Sequence, residues 1–134
     1  MIKARQIIDF SAAYDVIDSA SGQKVGALRR KGLRSILRDE WEVLDVNDAV
    51  VGLLFEDSMG LALLRRFLLG SFLPQNYDLA LGSQRVADLR QRFNLFAYQL
   101  DLDFSPDGTH RLDRRIGLAA GILLAAIEGK QHSE

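Results

Sequence analysis

The stretch Leu112–Glu128, LDRRIGLAAGILLAAIE, constrains the fold more than any other part of the chain. No side chain from Ile116 to Ile127 is polar. Gly117, Gly121 and Ala125 recur every four residues and form one bare face, while Ile116, Leu118, Ile122, Leu123, Leu124 and Ile127 cover the rest. Asp113 suits the N-cap, Gly129 the position just past the end, and Lys130 the negative end of the helix dipole. A helix that is apolar all round must be surrounded by lipid or by protein. Its apolar core of about 12 residues spans roughly 18 Å, against roughly 30 Å of bilayer hydrocarbon. It is too short to cross a membrane, so it is expected to be the axis of a soluble domain, sheathed by the rest of the chain. Burying its six large aliphatic side chains contributes on the order of 10–15 kcal/mol before entropy is counted, as much as the net stability of a whole domain.

At 134 residues the chain predicts one domain, residues 1–134. A formal net charge of −1 argues against a dedicated nucleic-acid binder, which would be strongly basic. The absence of cysteine excludes disulfides, thiol catalysis and cysteine-ligated zinc, and fits a cytoplasmic location. The N-terminal MIKARQIIDF carries Lys3 and Arg5 and has no long apolar run, unlike a signal peptide.

Three segments read as copies of one hairpin. Each opens aromatic–acidic–aliphatic: Tyr14-Asp15-Val16, Trp41-Glu42-Val43 and Tyr77-Asp78-Leu79. Each returns as Val-small-x-Leu: Val25–Leu28, Val51–Leu54 and Val86–Leu89. Turn formers lie between, at Ser19–Gly22, Val46–Ala49 and Leu81–Ser83. Acids alternating with large apolar groups predict strands with one wet and one buried face, as in antiparallel sheets. Ile2–Phe10 and Phe96–Asp103 read as further strands, with Tyr98, Leu100, Leu102 and Phe104 on one side of the latter.

Two connections are more than turns. In Arg29–Asp39, Arg30, Arg34 and Arg38 fall four apart, which predicts a short basic amphipathic helix near 31–38 despite Gly32. Asp57–Pro74 opens on an N-cap pair and ends at Gly70 and Pro74, which predicts a helix near 58–69, with a strand as the alternative.

A mainly β domain whose antiparallel sheet closes as a barrel around the terminal helix, about 112–128, is the economical architecture. Closure meets a difficulty of size. A helix is about 10 Å across, whereas an eight-stranded barrel is already filled by its own side chains. A barrel around a helix needs more strands, about 11 as in fluorescent-protein cans.

The strand Trp41-Glu42-Val43-Leu44-Asp45, hairpins returning through Val-Gly, the Phe96–Asp103 strand and the apolar terminal helix resemble the LURP-one-related proteins. These group with the phospholipid scramblases and tubby C-terminal domains. The resemblance covers Ile7–Ile127, and the order of hairpins before the helix carries it. It implies an antiparallel barrel of roughly twelve strands threaded by a hydrophobic C-terminal helix. This chain would then begin inside the barrel, lacking the first strands: either the barrel is incomplete, with an open edge that would favour self-association, or Met1 is not the natural start.

Arg29, Arg30, Lys31, Arg34 and Arg38 form a basic run that no acid interrupts before Asp39, a candidate anionic-lipid site; tubby domains, which the chain resembles, bind phosphoinositides through basic residues, but no matching motif carries those residues over one by one. Such clusters attract acidic lipid by about 1 kcal/mol per charge. The plain alternative is a solvated loop whose arginines pair with Asp39, Glu40 and Glu42. Leu68, Leu69, Phe72 and Leu73, beside Arg65-Arg66, could enter a membrane surface or a partner, or pack beneath the barrel end. Asp101, Asp103 and Asp107 fail the calcium-loop pattern, since Pro106 and Leu112 occupy the sixth and twelfth places. No histidine, serine or carboxylate constellation suggests an enzyme, a metal or a cofactor. The expected function is a non-enzymatic binding or scaffold module at anionic membrane surfaces, cytoplasmic or peripheral to the membrane. The alternative is a protein-interaction or structural domain self-associating through an open sheet edge.

Overall fold

Three aromatic residues fix the sheet. In the computed structural model, which describes residues 1–5, 12–31, 40–56, 76–92 and 96–133, Tyr14 faces Leu28, Trp41 faces Leu54 and Tyr77 faces Leu89 across antiparallel strand pairs. The first residue of each aromatic–acidic–aliphatic triplet thus meets the last residue of its returning Val-small-x-Leu. Trp41 and Tyr77 are almost wholly buried, and the Tyr14 and Trp41 rings tilt together with centroids 5.9 Å apart.

The strands are β1 (Ile2–Ala4), β2 (Ala13–Ile17), β3 (Lys24–Arg30), β4 (Glu40–Leu44), β5 (Val50–Glu56), β6 (Asn76–Leu81), β7 (Gln84–Arg92) and β8 (Gln99–Asp103). They form one eight-stranded sheet in chain order, each antiparallel to its neighbour. The single described helix, α1 (Arg114–Ser133), touches β8 near one end of the sheet and β2 and β3 near the other. Laid flat, β2 and β8 would stand roughly 29 Å apart, about three helix diameters. Contact with both therefore requires the sheet to curl around the helix as a half-barrel.

All three hairpins carry a register shift at one place, directly after the aliphatic residue of the triplet: Val16/Ile17, Val43/Leu44 and Leu79/Ala80. Such bulges bend a strand and increase its twist, which is how a sheet acquires curvature. The small residue of each return strand answers this feature. A Cβ on Gly26 would lie 2.6 Å from the Leu44 carbonyl oxygen, and one on Gly52 would collide with that of Ala80. Each glycine thus accommodates the bulge of the following hairpin. The third copy has Ala87 here, and β8 follows it without a shift.

The turns follow their sequence. Asp18 accepts from the Ala20 N–H (2.8 Å), and Asp45 accepts from those of Asn47 (2.8 Å) and Ala49 (3.0 Å). Gly82 takes a positive φ in the two-residue β6–β7 turn.

Asp113 caps α1: its carboxylate accepts from the Arg115 N–H (3.0 Å) and its carbonyl from the Ile116 N–H (3.0 Å). Gly129, expected past the end, lies inside the helix, which runs on to Ser133. The bare stripe seats the side chains of Leu102 in β8 and of Phe104 just past it. A Cβ at Gly117 would strike the Phe104 ring, and one at Gly121 would lie 3.0 Å from Leu102 Cδ2.

Ile116, Ala119, Ala120, Leu123 and Leu124 fill the core against Leu28, Val43, Leu54, Leu79 and Leu89. The enclosure is one-sided. Leu118 and Ile122 are 54% and 59% exposed, so the described strands do not sheathe the helix and the threaded arrangement is not met. Eight strands supply the half-cylinder that covers one face, consistent with the size limit above.

Of the N-terminal strand expected over Ile2–Phe10, Ile2–Ala4 is seen and residues 6–10 lie outside the described residues, while the one expected over Phe96–Asp103 is seen as Gln99–Asp103. The helices expected near 31–38 and 58–69 fall outside the described residues, except that Lys31 directly follows β3.

Candidate functional site

Arg29 and Arg30 end β3, and the β3–β4 register sets Arg29 opposite Glu42 and Arg30 opposite Trp41. Arg29 Nε donates to Glu42 Oε2 (2.8 Å), joined by its Nη2. Lys31 Nζ donates to Glu40 Oε1 (3.2 Å). Arg30 lies over the Trp41 ring, 6.0 Å from its centroid. The three described cations of the basic run are thus engaged by β4. Arg34 and Arg38 lie outside the described residues, as do Leu68, Leu69, Phe72 and Leu73.

A second charged cluster, which the sequence does not announce, ties the outer face of β1–β3 to the β4–β5 turn. Arg5 Nη2 donates to Asp15 and to Asp48 (2.6 Å each), and Lys24 Nζ reaches Asp48 (2.7 Å) and Asp15 (3.3 Å). Hydrogen bonds from Lys24 and then Arg5 hold the Asp48 carboxyl at about 2. The Arg5 hydrogen bond likewise keeps Asp15 below the usual carboxylate range. Asp48 sits at φ 65°, a conformation that short polar side chains tolerate.

Asp107 anchors the approach to α1. It accepts from the N–H groups of Arg111 (2.9 Å) and Leu112 (2.9 Å) and from Arg114 Nη1 (2.9 Å), with no part of its side chain exposed. Burial pushes its pKa up, but those donors outweigh it and leave the carboxyl below its ordinary value. Arg114 also donates to His110 Nδ1 (3.1 Å) and stands 4.7 Å over the Phe104 ring. Arg115 pairs with Asp113 (2.7 Å) and Asp18 (2.8 Å). Asp101 and Asp103 lie on the wet face of β8, apart from buried Asp107. Among the described residues no group of three or more His, Asp or Glu could hold a metal ion, and no helix is long and apolar enough to cross a membrane.

The most unusual surface lies at the mouth of the half-barrel. Arg115, Leu118, Ile122 and Ala126 form one exposed stripe of α1 at three- and four-residue spacing. β1 and β8 flank it, each with one strand neighbour among the described residues. On the inner face β1 offers Ile2, and β8 offers Leu100 and Leu102. On the outer face β1 offers Lys3, and β8 offers Asp101 and Asp103. The alternation of QLDLD signalled the β8 half of this surface. Nothing in a helix apolar on all sides signalled which face would stay bare.

No family model, curated protein or solved structure shows a significant match to the chain.

Proposed function

We propose that this domain is a non-catalytic protein-interaction and structural module that self-associates through the edges left open among its described strands and the bare helix face between them. The exposure of Leu118 and Ile122, set between two edge strands, carries this reading. Unpaired strand edges are templates for strand addition, and contiguous apolar surface marks contact sites. Light scattering over a wide concentration range tests it. The expected result is concentration-dependent association that is indifferent to acidic lipid; monomer at every concentration overturns it.

Recognition of anionic membrane surfaces through Arg29, Arg30, Lys31, Arg34 and Arg38 is the second reading, supported by an acid-free basic run. It is the weaker one, because Glu42 and Glu40 already neutralise two of the cations. Sedimentation with vesicles containing or lacking acidic phospholipid separates the two: binding confined to acidic vesicles favours the lipid reading. The order of hairpins before a terminal helix also supports kinship with the tubby-like, LURP-one-related barrels, in which further strands would close the sheet over α1.

A further inference from the structure

Resting on the interaction reading above, we propose that the partner is a second copy of this chain, and that two half-barrels close face to face about a two-fold axis along the barrel they form, to which their strands are tilted. In that arrangement β1 of each copy adds to β8 of the other, and Leu118 and Ile122 of the two helices meet at the centre.

Three observations lead here. The first is direction. Antiparallel pairing in chain order leaves β1 and β8 running oppositely. A two-fold axis along the barrel preserves direction along it and brings β1 of one copy beside β8 of the other, so both seams are antiparallel. The second is chemistry at the seam. Lys3 and Asp103 make no ion pair among the described residues, although Asp103 accepts from the Ser105 N–H and hydroxyl and lies in the field of Arg90 and Arg85. Setting Lys3 opposite Asp103 sets Ala4 opposite Leu102 and Ile2 opposite Phe104, all on the inner face where Ile2, Leu102 and Phe104 already pack on the core. Charge thus meets opposite charge outside while apolar residues meet inside. Pairing β8 with β8 would instead bring Asp101 and Asp103 against themselves. The third is volume. Eight strands cannot close around a helix, but sixteen enclose a lumen wide enough for two. One closure therefore pairs both edges and covers the exposed apolar stripe of each copy.

The chain has no cysteine, so single cysteines report proximity cleanly. Ile122→Cys should form a disulfide-linked dimer in high yield under mild oxidation. Val51→Cys, exposed on the outer face of β5, should not. Light scattering should show a species of fixed two-copy mass. Ile122→Glu should keep its circular dichroism while the dimer dissociation constant rises by at least about tenfold, since it sets two carboxylates together in an apolar contact. Lys3→Glu and Asp103→Lys should each weaken the dimer, and the two combined should restore it. Open-ended polymers, or a dimer that is indifferent to Ile122→Glu and does not cross-link at 122, overturn the closed arrangement while leaving the broader reading standing. Monomer throughout removes both.

Discussion

Gly26 and Gly52 lack side chains because the next hairpin's bulge leaves no room for one. Gly26 faces the Leu44 carbonyl and the Ile116 Cδ1, and Gly52 faces the Ala80 carbonyl and the Leu81 Cδ2. A carbonyl held in a sheet cannot step aside as the end of a flexible side chain can. Gly26→Ala and Gly52→Ala should therefore each destabilise the domain by about 2–3 kcal/mol in urea unfolding. Gly22→Ala is the contrast: its φ is 71° with open space around the Cβ, so only backbone strain opposes it, about 1 kcal/mol. Asp48 supplies a pH test. Its folded pKa of about 2 lies below the ordinary 3.8. Its contribution to stability is therefore complete above about pH 4 and is lost as pH falls through about 2. Carboxyl-carbon NMR titration should find this low midpoint, and Arg5→Ala should raise it toward the ordinary value.

The elements were legible wherever chemistry repeated within a few residues. Tyr14, Trp41 and Tyr77 announced core-facing strand positions, Ser19–Gly22 and Val46–Ala49 their turns, and Asp113 the start of α1. Removing that cap in Asp113→Ala should cost about 1 kcal/mol, read as a lowered urea midpoint with an unchanged slope. What depended on register was hidden. Arg29 finds Glu42 and Lys31 finds Glu40 only because β3 and β4 pair as they do, so the first part of the basic run is taken up by cross-strand ion pairs. The direction of α1 was hidden for another reason. A helix apolar all round has no polar face to mark its solvent side, so its sequence does not distinguish exposed Ile122 from buried Leu123. The extension of α1 past Gly129 shows a glycine tolerated within a helix at a modest cost in propensity.

At the level of the whole molecule the helix is both the filler of the core and the reason the sheet stays open. Ile116, Leu123 and Leu124 occupy the space into which the inner side chains of the strands would otherwise collapse. A chain ending at residue 112 should therefore lose its cooperative thermal transition and bind a hydrophobic dye, as loosely packed states do. A sharp transition in that truncated chain would mean that the sheet sustains its own core.

The common stagger of the three hairpins has a consequence for how such a sheet could grow. Each unit presents a notch to its successor and a protrusion to its predecessor, so Gly26 and Gly52 act as sockets and Ala87 as a plugged one. The number of blades is then set by where the sockets stop. Lengthening the array by duplication would call for a glycine at 87 and a kinked newcomer beside it.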